Sequence, residues 1–195
     1  MSTTASAPAA RPSPARQRLL DTATDLFYRE GIHSVGVDRI IEQAGVTRAT
    51  MYKQFSGKEG LVLAYLRGED EGLRSLFAQA TDAARDPDVL LDLVVDGIAQ
   101  DIRGRHTRGC PFINAAAEYP DDGPVRRLIA EHREWFRSTL EQLASAAGLT
   151  GPEQVAASLV LLRDAALVGG YLDGQERVAP AFARTARAVI RDARG

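Results

Sequence analysis

The sequence predicts an all-α protein of about nine helices, three short-to-medium ones in front and six behind. Three observations predict it. Apolar residues recur at three- and four-residue spacing along nearly the whole chain, and alternating strand patterns are almost absent. Clusters rich in Gly, Pro and Asp then cut the periodic stretches into helix-length segments.

In order, Leu19, Leu20, Ala23, Leu26 and Phe27 form an apolar stripe on a first helix, roughly 13–30, which Gly31 ends. A second, about 37–44, turns Ile40, Ile41 and Ala44 inward. Gly45 and Val46 make a turn, and Thr47 caps a third helix reaching about 55. "SGKEG" opens a long helix, about 58–83. Pro87 stands in the first turn of the next, which runs to about 103 and is followed by the basic loop "RGRHTRGCP". "FINAAAEY" reads as a short helix stopped by Pro120, and "DDGP" starts another over 125–147. The last two helices are expected at about 153–173 and 179–193.

Composition bounds the function. At 195 residues with 45% hydrophobic content the chain has enough apolar material for a sizeable core. Its longest apolar runs are too short to cross a bilayer, and its first residues lack the apolar centre of a signal peptide. Rich in Pro, Ser and Ala, residues 1–13 read as a disordered arm. The single cysteine, Cys110, excludes an internal disulfide framework and fits a reducing cytoplasm. Net charge is -2, unevenly spread: residues 1–58 hold eight Lys/Arg against five acids, the remainder 16 against 21. A mildly basic head on an acidic body suits a polyanion partner at the N-terminal end. His33, His106 and His132 offer no metal-ligand spacing, and no nucleophile, P-loop or dinucleotide motif occurs. Neither metal, cofactor nor enzyme activity is expected.

Two short helices around a glycine turn match a helix-turn-helix, in which the second helix lies in the major groove. At 100° per residue, Met51 and Phe55 face inward, while Ala49, Thr50 and Lys53 face out with Tyr52 on the flank. Ala49 is small enough for close approach to a groove. Arg48 suits guanine edges, Thr50 a base or a phosphate, and Gln54 adenine. Tyr52 and Lys53 suit phosphates, and Lys58 at a helix start suits another. The chain's two lysines, Lys53 and Lys58, both fall here. A merely solvated amphipathic hairpin is the bland alternative, but this face combines a small residue, hydroxyls, a phenol and both lysines. Arg11, Arg16 and Arg18 fall in or beside the arm, either as a solvated tail or as backbone and minor-groove contacts.

"VDRIIEQAGVTRATMYKQFSGKEGLVLAYL" resembles the DNA-binding signature of TetR-type transcriptional regulators. Ala44, Gly45, Val46, Thr47, Thr50, Met51, Tyr52, Phe55, Lys58, Glu59 and Leu61 fit that signature in register. Gly36 departs from it, standing where a threonine usually caps the second helix, and Gln54 replaces the commoner histidine or tyrosine. The resemblance implies a homodimer whose subunits each carry a three-helix DNA-binding head and a six-helix body. The interior of that body takes a small effector, and its last two helices pair with the mate's. Base reading then falls to Arg48, Ala49 and Thr50, with Lys53 or Gln54 as further candidates, and phosphate anchoring to Tyr52 and Lys58.

In the body, a stripe from Val125 to Leu143 contains His132, Trp135 and Phe136. His132 reads either as a polar contact in an apolar cavity or as a core histidine bonded to a backbone carbonyl. Asn114 and Glu118 share a helix face, and Arg163 is placed to pair with Glu118 or to clamp a ligand. These six residues are the candidate effector contacts. Cys110 reads as a buried inert thiol, a redox sensor being the alternative. Stripes at Val155, Leu159, Leu162, Ala166 and Leu167 and at Phe182, Ala186 and Val189 could close the core, but with two half-sites to reach they read as a two-fold four-helix interface, Gly169 and Gly170 allowing close approach. The expectation is an arm (1–13), a DNA-binding head (14–57) and an effector and dimerisation body (58–195). It describes a cytoplasmic regulator, most simply a repressor, whose partners are a palindromic DNA operator, a second copy and an unknown small molecule, with no membrane. An all-helical interaction or carrier module with a vestigial head is the alternative.

Overall fold

A computed structural model describes residues 13–195. The expected arm, including Arg11, lies outside them except for Ser13. Among the described residues the chain forms nine helices and no strand. They are α1 (Pro14–Glu30), α2 (Val37–Ala44), α3 (Arg48–Phe55), α4 (Lys58–Ala83), α5 (Pro87–Gly104), α6 (Pro111–Glu118), α7 (Pro124–Ala146), α8 (Pro152–Asp173) and α9 (Gln175–Asp192). Two compact units result, one ending at Ala64 and one beginning at Tyr65, and α4 contributes to both.

Local chemistry sets most of the boundaries. α1, α5, α6, α7 and α8 each begin on proline, whose missing N–H costs nothing in a first turn. The Ser13 hydroxyl accepts from the Arg16 N–H at 3.2 Å, and the Asp86 carboxylate from the Asp88 N–H at 2.9 Å. α9 departs from expectation. It starts at Gln175, directly after the break at Gly174, and carries Pro180 inside it.

In the first unit α1 packs on α2 and α3, burying Leu19, Ala23, Leu26, Phe27, Ile40, Ala44, Met51 and Phe55. Ile41, expected inward, is only half-buried. Neither Arg16 nor Arg18 belongs to a solvated tail. Arg18 donates to the Ala44 carbonyl at 3.1 Å, capping the end of α2, and the Arg16 guanidinium lies 4.7 Å from the Phe55 ring centroid. Both bond inward because α1 starts early enough to contain them.

In the second unit α8 packs on α7 and α9, and α5 on α7, α8 and α9. The stripes of α8 and α9 that were expected to line a two-fold interface instead close this core: Val155, Leu159, Ala166, Leu167, Phe182 and Ala186 are buried within the subunit. Gly170 serves the same core. A Cβ there would lie 2.9 Å from the Ile102 side chain of α5, so glycine lets the two helices touch.

Candidate nucleic-acid interface and effector region

The helix-turn-helix is built by three local devices. Gly45 ends α2 in the left-handed region (φ 62°), and the Val46 N–H donates back to the Ile41 carbonyl at 3.2 Å, closing the turn. Thr47 caps α3: its Oγ1 accepts from the Thr50 N–H at 3.2 Å and shares a 2.9 Å hydrogen bond with the Thr50 hydroxyl. Gly60 fixes the exit. A Cβ there would run into the Phe55 carbonyl group, its carbon only 2.9 Å away, so only glycine lets the start of α4 cross the end of α3. Gly36, at the head of α2, makes no side-chain cap, although space is open around it.

Met51 and Phe55 point into this unit's core, which turns Thr47, Arg48, Ala49, Tyr52 and Lys53 outward, all exposed, with Thr50 and Gln54 half-buried beside them. The candidates for DNA contact from Thr47 to Gln54 are thus all exposed or half-buried, on the sides of α3 that the core leaves open. Half-buried Lys58 stands at the first turn of α4, its Nζ 3.5 Å from the His33 carbonyl. Arg48 is held by an ion pair with Asp38 of α2, both side chains exposed. Asp38 was not foreseen as its partner.

The six body candidates do not converge. Asn114 and Glu118 line a cleft of about 220 Å³ with Arg108 and Tyr171, and the Asn114 amide donates to the Arg108 carbonyl at 3.2 Å. His132, Trp135, Phe136 and Arg163 lie elsewhere, in an aromatic core. His132 stacks on Phe112 with centroids 3.6 Å apart and an interplanar angle of 7°; Phe77 meets Trp135 and Phe136 edge-on. Arg163 does not take Glu118. It pairs with Asp164 at 3.4 Å and donates toward Cys110 Sγ at 3.8 Å, its guanidinium 4.9 Å from the Phe136 centroid. Its side chain is buried against Phe136 and Cys110. Cys110 is buried there as well.

His132 is a core histidine whose partner is a side-chain carboxylate rather than a backbone carbonyl. Nδ1 meets the Asp70 carboxylate of α4 at 2.8 Å, and Nε2 is buried without a hydrogen-bond partner among the described residues. Burial lowers the His132 pKa and the Asp70 contact only partly offsets it; nearby Arg163 and Arg74 push the same way as burial. The neutral ring therefore donates Nδ1–H to Asp70. Asp70 is itself held below the ordinary carboxylate range, because hydrogen bonds from Arg74 and His132 outweigh its partial burial.

The adjacent α4 residue makes a second tie. Glu69 accepts from Arg105 at 2.9 Å and from His106 Nε2 at 3.2 Å, while His106 Nδ1 meets Asp101 at 2.8 Å. Burial alone would lower the His106 pKa; the hydrogen bonds to Asp101 and Glu69 outweigh it and raise it. Glu69 and Asp70 thus fasten α4 to two different parts of the body. The sequence signal for them is faint, an acidic run "GEDEG" within a helix that is apolar before it.

The family described as "Bacterial regulatory proteins, tetR family" matches residues 19–65, which contain the whole helix-turn-helix. A solved structure of SCO4454, a TetR-family transcriptional regulator from Streptomyces coelicolor, is 44% identical with a TM-score of 0.88, covering 92% of this chain and 96% of that one. The transcriptional repressor KstR2 of Rhodococcus jostii is 29% identical over 125 residues, 64% of this chain and 57% of that protein. The transcriptional activator FasR of Mycolicibacterium smegmatis is 37% identical over 71 residues, 36% of this chain and 32% of that protein. The matches thus span about half, or less, of these curated relatives.

Proposed function

The chain belongs to the TetR family of transcriptional regulators, and from that premise we propose that it binds a palindromic DNA operator as a homodimer and releases it when a small molecule binds. The observation that carries this reading is the single outward surface of α3, with a small residue, a guanidinium, hydroxyls and an ammonium on one face. Arg48, Ala49 and Thr50 read base edges, joined by Lys53 or Gln54, while Tyr52 and Lys58 hold phosphates. Thr47 fixes the helix start, so that backbone N–H groups and side chains meet the groove together. Residues 14–57 act as the DNA-binding head and 58–195 as the effector and dimerisation body.

Two half-sites one helical turn apart require two heads related by a two-fold axis. Support for dimerisation comes from α8. Its core face is spent inside the subunit, yet Leu161 and Leu172 are each 69% exposed, with Val168 and Tyr171 beside them. α8 is also long and apolar enough to span a bilayer, but its residues from Val155 to Gly170 are partly buried against other helices. An intersubunit seam accounts for its apolar outer face, and the protein acts in the cytoplasm.

Release of DNA proceeds through α4, which begins in the head and is tied to the body by Glu69 and Asp70. An effector that displaces those ties changes the separation of the two recognition helices. Moving occupancy from about 99:1 to 1:99 requires roughly 5.5 kcal/mol of preference for the non-binding state. We read the protein as a repressor. Nuclease footprinting on DNA upstream of its own and neighbouring genes tests the reading. A protected palindrome with half-sites about 10 base pairs apart, or a multiple of that, is expected; uniform protection without sequence preference would overturn it.

A further inference from the structure

α6, α7 and α8 enclose a half-open cavity of about 620 Å³ that none of the expected effector residues lines. Its size falls in the ordinary range for small-molecule sites. The floor is apolar: Phe112, Ile113 and Ala116 from α6, Ile129 and Ala130 from α7, and Val160 from α8. Its charges are not balanced. Three guanidiniums and two carboxylates line it, and four of these five groups are already engaged. Arg133 holds Asp164 at 2.8 Å, and Arg137 holds Glu134 at 2.7 Å. Arg126, half-buried in the first turns of α7, has no ion pair or hydrogen bond among the described residues.

The geometry points to this cavity as the binding site for an amphipathic monoanion, an apolar body carrying one carboxylate, with the carboxylate on Arg126. A guanidinium presents two parallel N–H donors that match the two oxygens of a carboxylate. One uncommitted positive charge balances one negative charge, whereas a phosphate dianion would leave a charge unmatched beside Glu134 and Asp164. The apolar floor removes the hydrocarbon part from water, at about 25 cal/mol per Å² buried. Neither a cation nor a sugar is served: the carboxylates are taken, and the floor offers no hydrogen-bonding groups.

The cavity also has a physical route to α4. Its lining residue Phe112 stacks on His132, and His132 Nδ1–H donates to Asp70 of α4. A ligand that shifts Phe112 shifts the histidine and loosens the Asp70 tie. This consequence rests on the ligand-responsive reading above; the binding site itself does not.

Calorimetric titration of the full chain with octanoate, decanoate, dodecanoate and 1-naphthoate, beside decan-1-ol and decylamine, tests the site. At least one acid should bind, and more tightly than the alcohol or amine. Arg126→Ala should weaken that acid roughly tenfold to a hundredfold while leaving the weaker alcohol unchanged, as expected for one charge-assisted pair. Ala130→Trp, at an exposed position on the cavity lining, should weaken acid and alcohol alike. Thermal melts of both variants should match the parent. Failure of every acid to bind, as would follow if a second copy filled the cleft, would overturn the proposal, as would equal binding by Arg126→Ala. The same acid added to an operator complex separates the two claims. Binding without DNA release keeps the site and removes its regulatory role; absence of any operator complex removes the regulator reading and leaves the site standing.

Discussion

Lys53 and Tyr52 sit side by side on the outer face of α3, and their expected effects on DNA binding differ. Lys53→Ala should weaken operator and scrambled DNA alike and reduce the salt slope by about one per subunit, the signature of a lost phosphate contact. Tyr52→Phe, which removes one hydroxyl, should weaken binding with little change in slope; electrophoretic or fluorescence titrations at several salt concentrations read both. His106 gives a second test. Its folded pKa is raised, so its contacts with Asp101 and Glu69 contribute fully below the unfolded value of about 6.5 and fade as pH rises through the folded pKa. The melting-temperature advantage of the parent over His106→Gln should therefore be larger at pH about 6 than at pH about 8.5. His132 works in the opposite sense. Its folded pKa is lowered, so the unfolded chain protonates first and stability falls as pH drops below about 6.5. The outer face of α3 was legible because a 100° step and the two buried anchors Met51 and Phe55 fix it. The partners of His132 and His106 were not, because Asp70 and Glu69 lie 62 and 37 residues away in the chain.

Helix boundaries were legible wherever the signal is local. Thr47 as a cap, Pro87 in a first turn and Gly31 or Gly45 at the ends act within one turn of themselves, as do the Ser13 and Asp86 caps that the structure adds. α9 shows the limit of that rule. The expected start was about 179, but the chain breaks at Gly174 and the helix carries Pro180 in its second turn, where a proline is normally disfavoured. Periodicity likewise found the apolar stripes of α8 and α9 but cannot say what covers them; they were expected at a two-fold interface, and tertiary packing within the subunit took most of them instead. Element junctions yield a sharper prediction. Gly60→Ala places a methyl against the Phe55 carbonyl and should destabilise the protein by about 1–3 kcal/mol or more. Gly36→Ala, where the backbone is ordinary and the space open, should change stability far less. Denaturant melts of the two variants compare them directly, and equal losses would show that the α3–α4 junction is not constrained as described.

For the whole molecule, the proposed function couples recognition, pairing and release. The outer face of α8 is where pairing is exposed to test: Leu161→Glu with Leu172→Glu puts four charges into a two-fold seam. Sedimentation should then find monomers with undiminished helicity, and operator affinity should fall because a single head reaches one half-site. A double variant that stayed dimeric would place the interface elsewhere. The central claim, that this chain reads DNA sequence through α3, is tested most directly by its affinity for upstream DNA against scrambled DNA of equal length across a salt series. The account predicts binding at least about 10³-fold tighter to the upstream DNA at physiological salt, with that ratio reduced by Arg48→Ala. Weak binding of equal strength to both DNAs, falling steeply with salt and indifferent to Arg48→Ala, would contradict it.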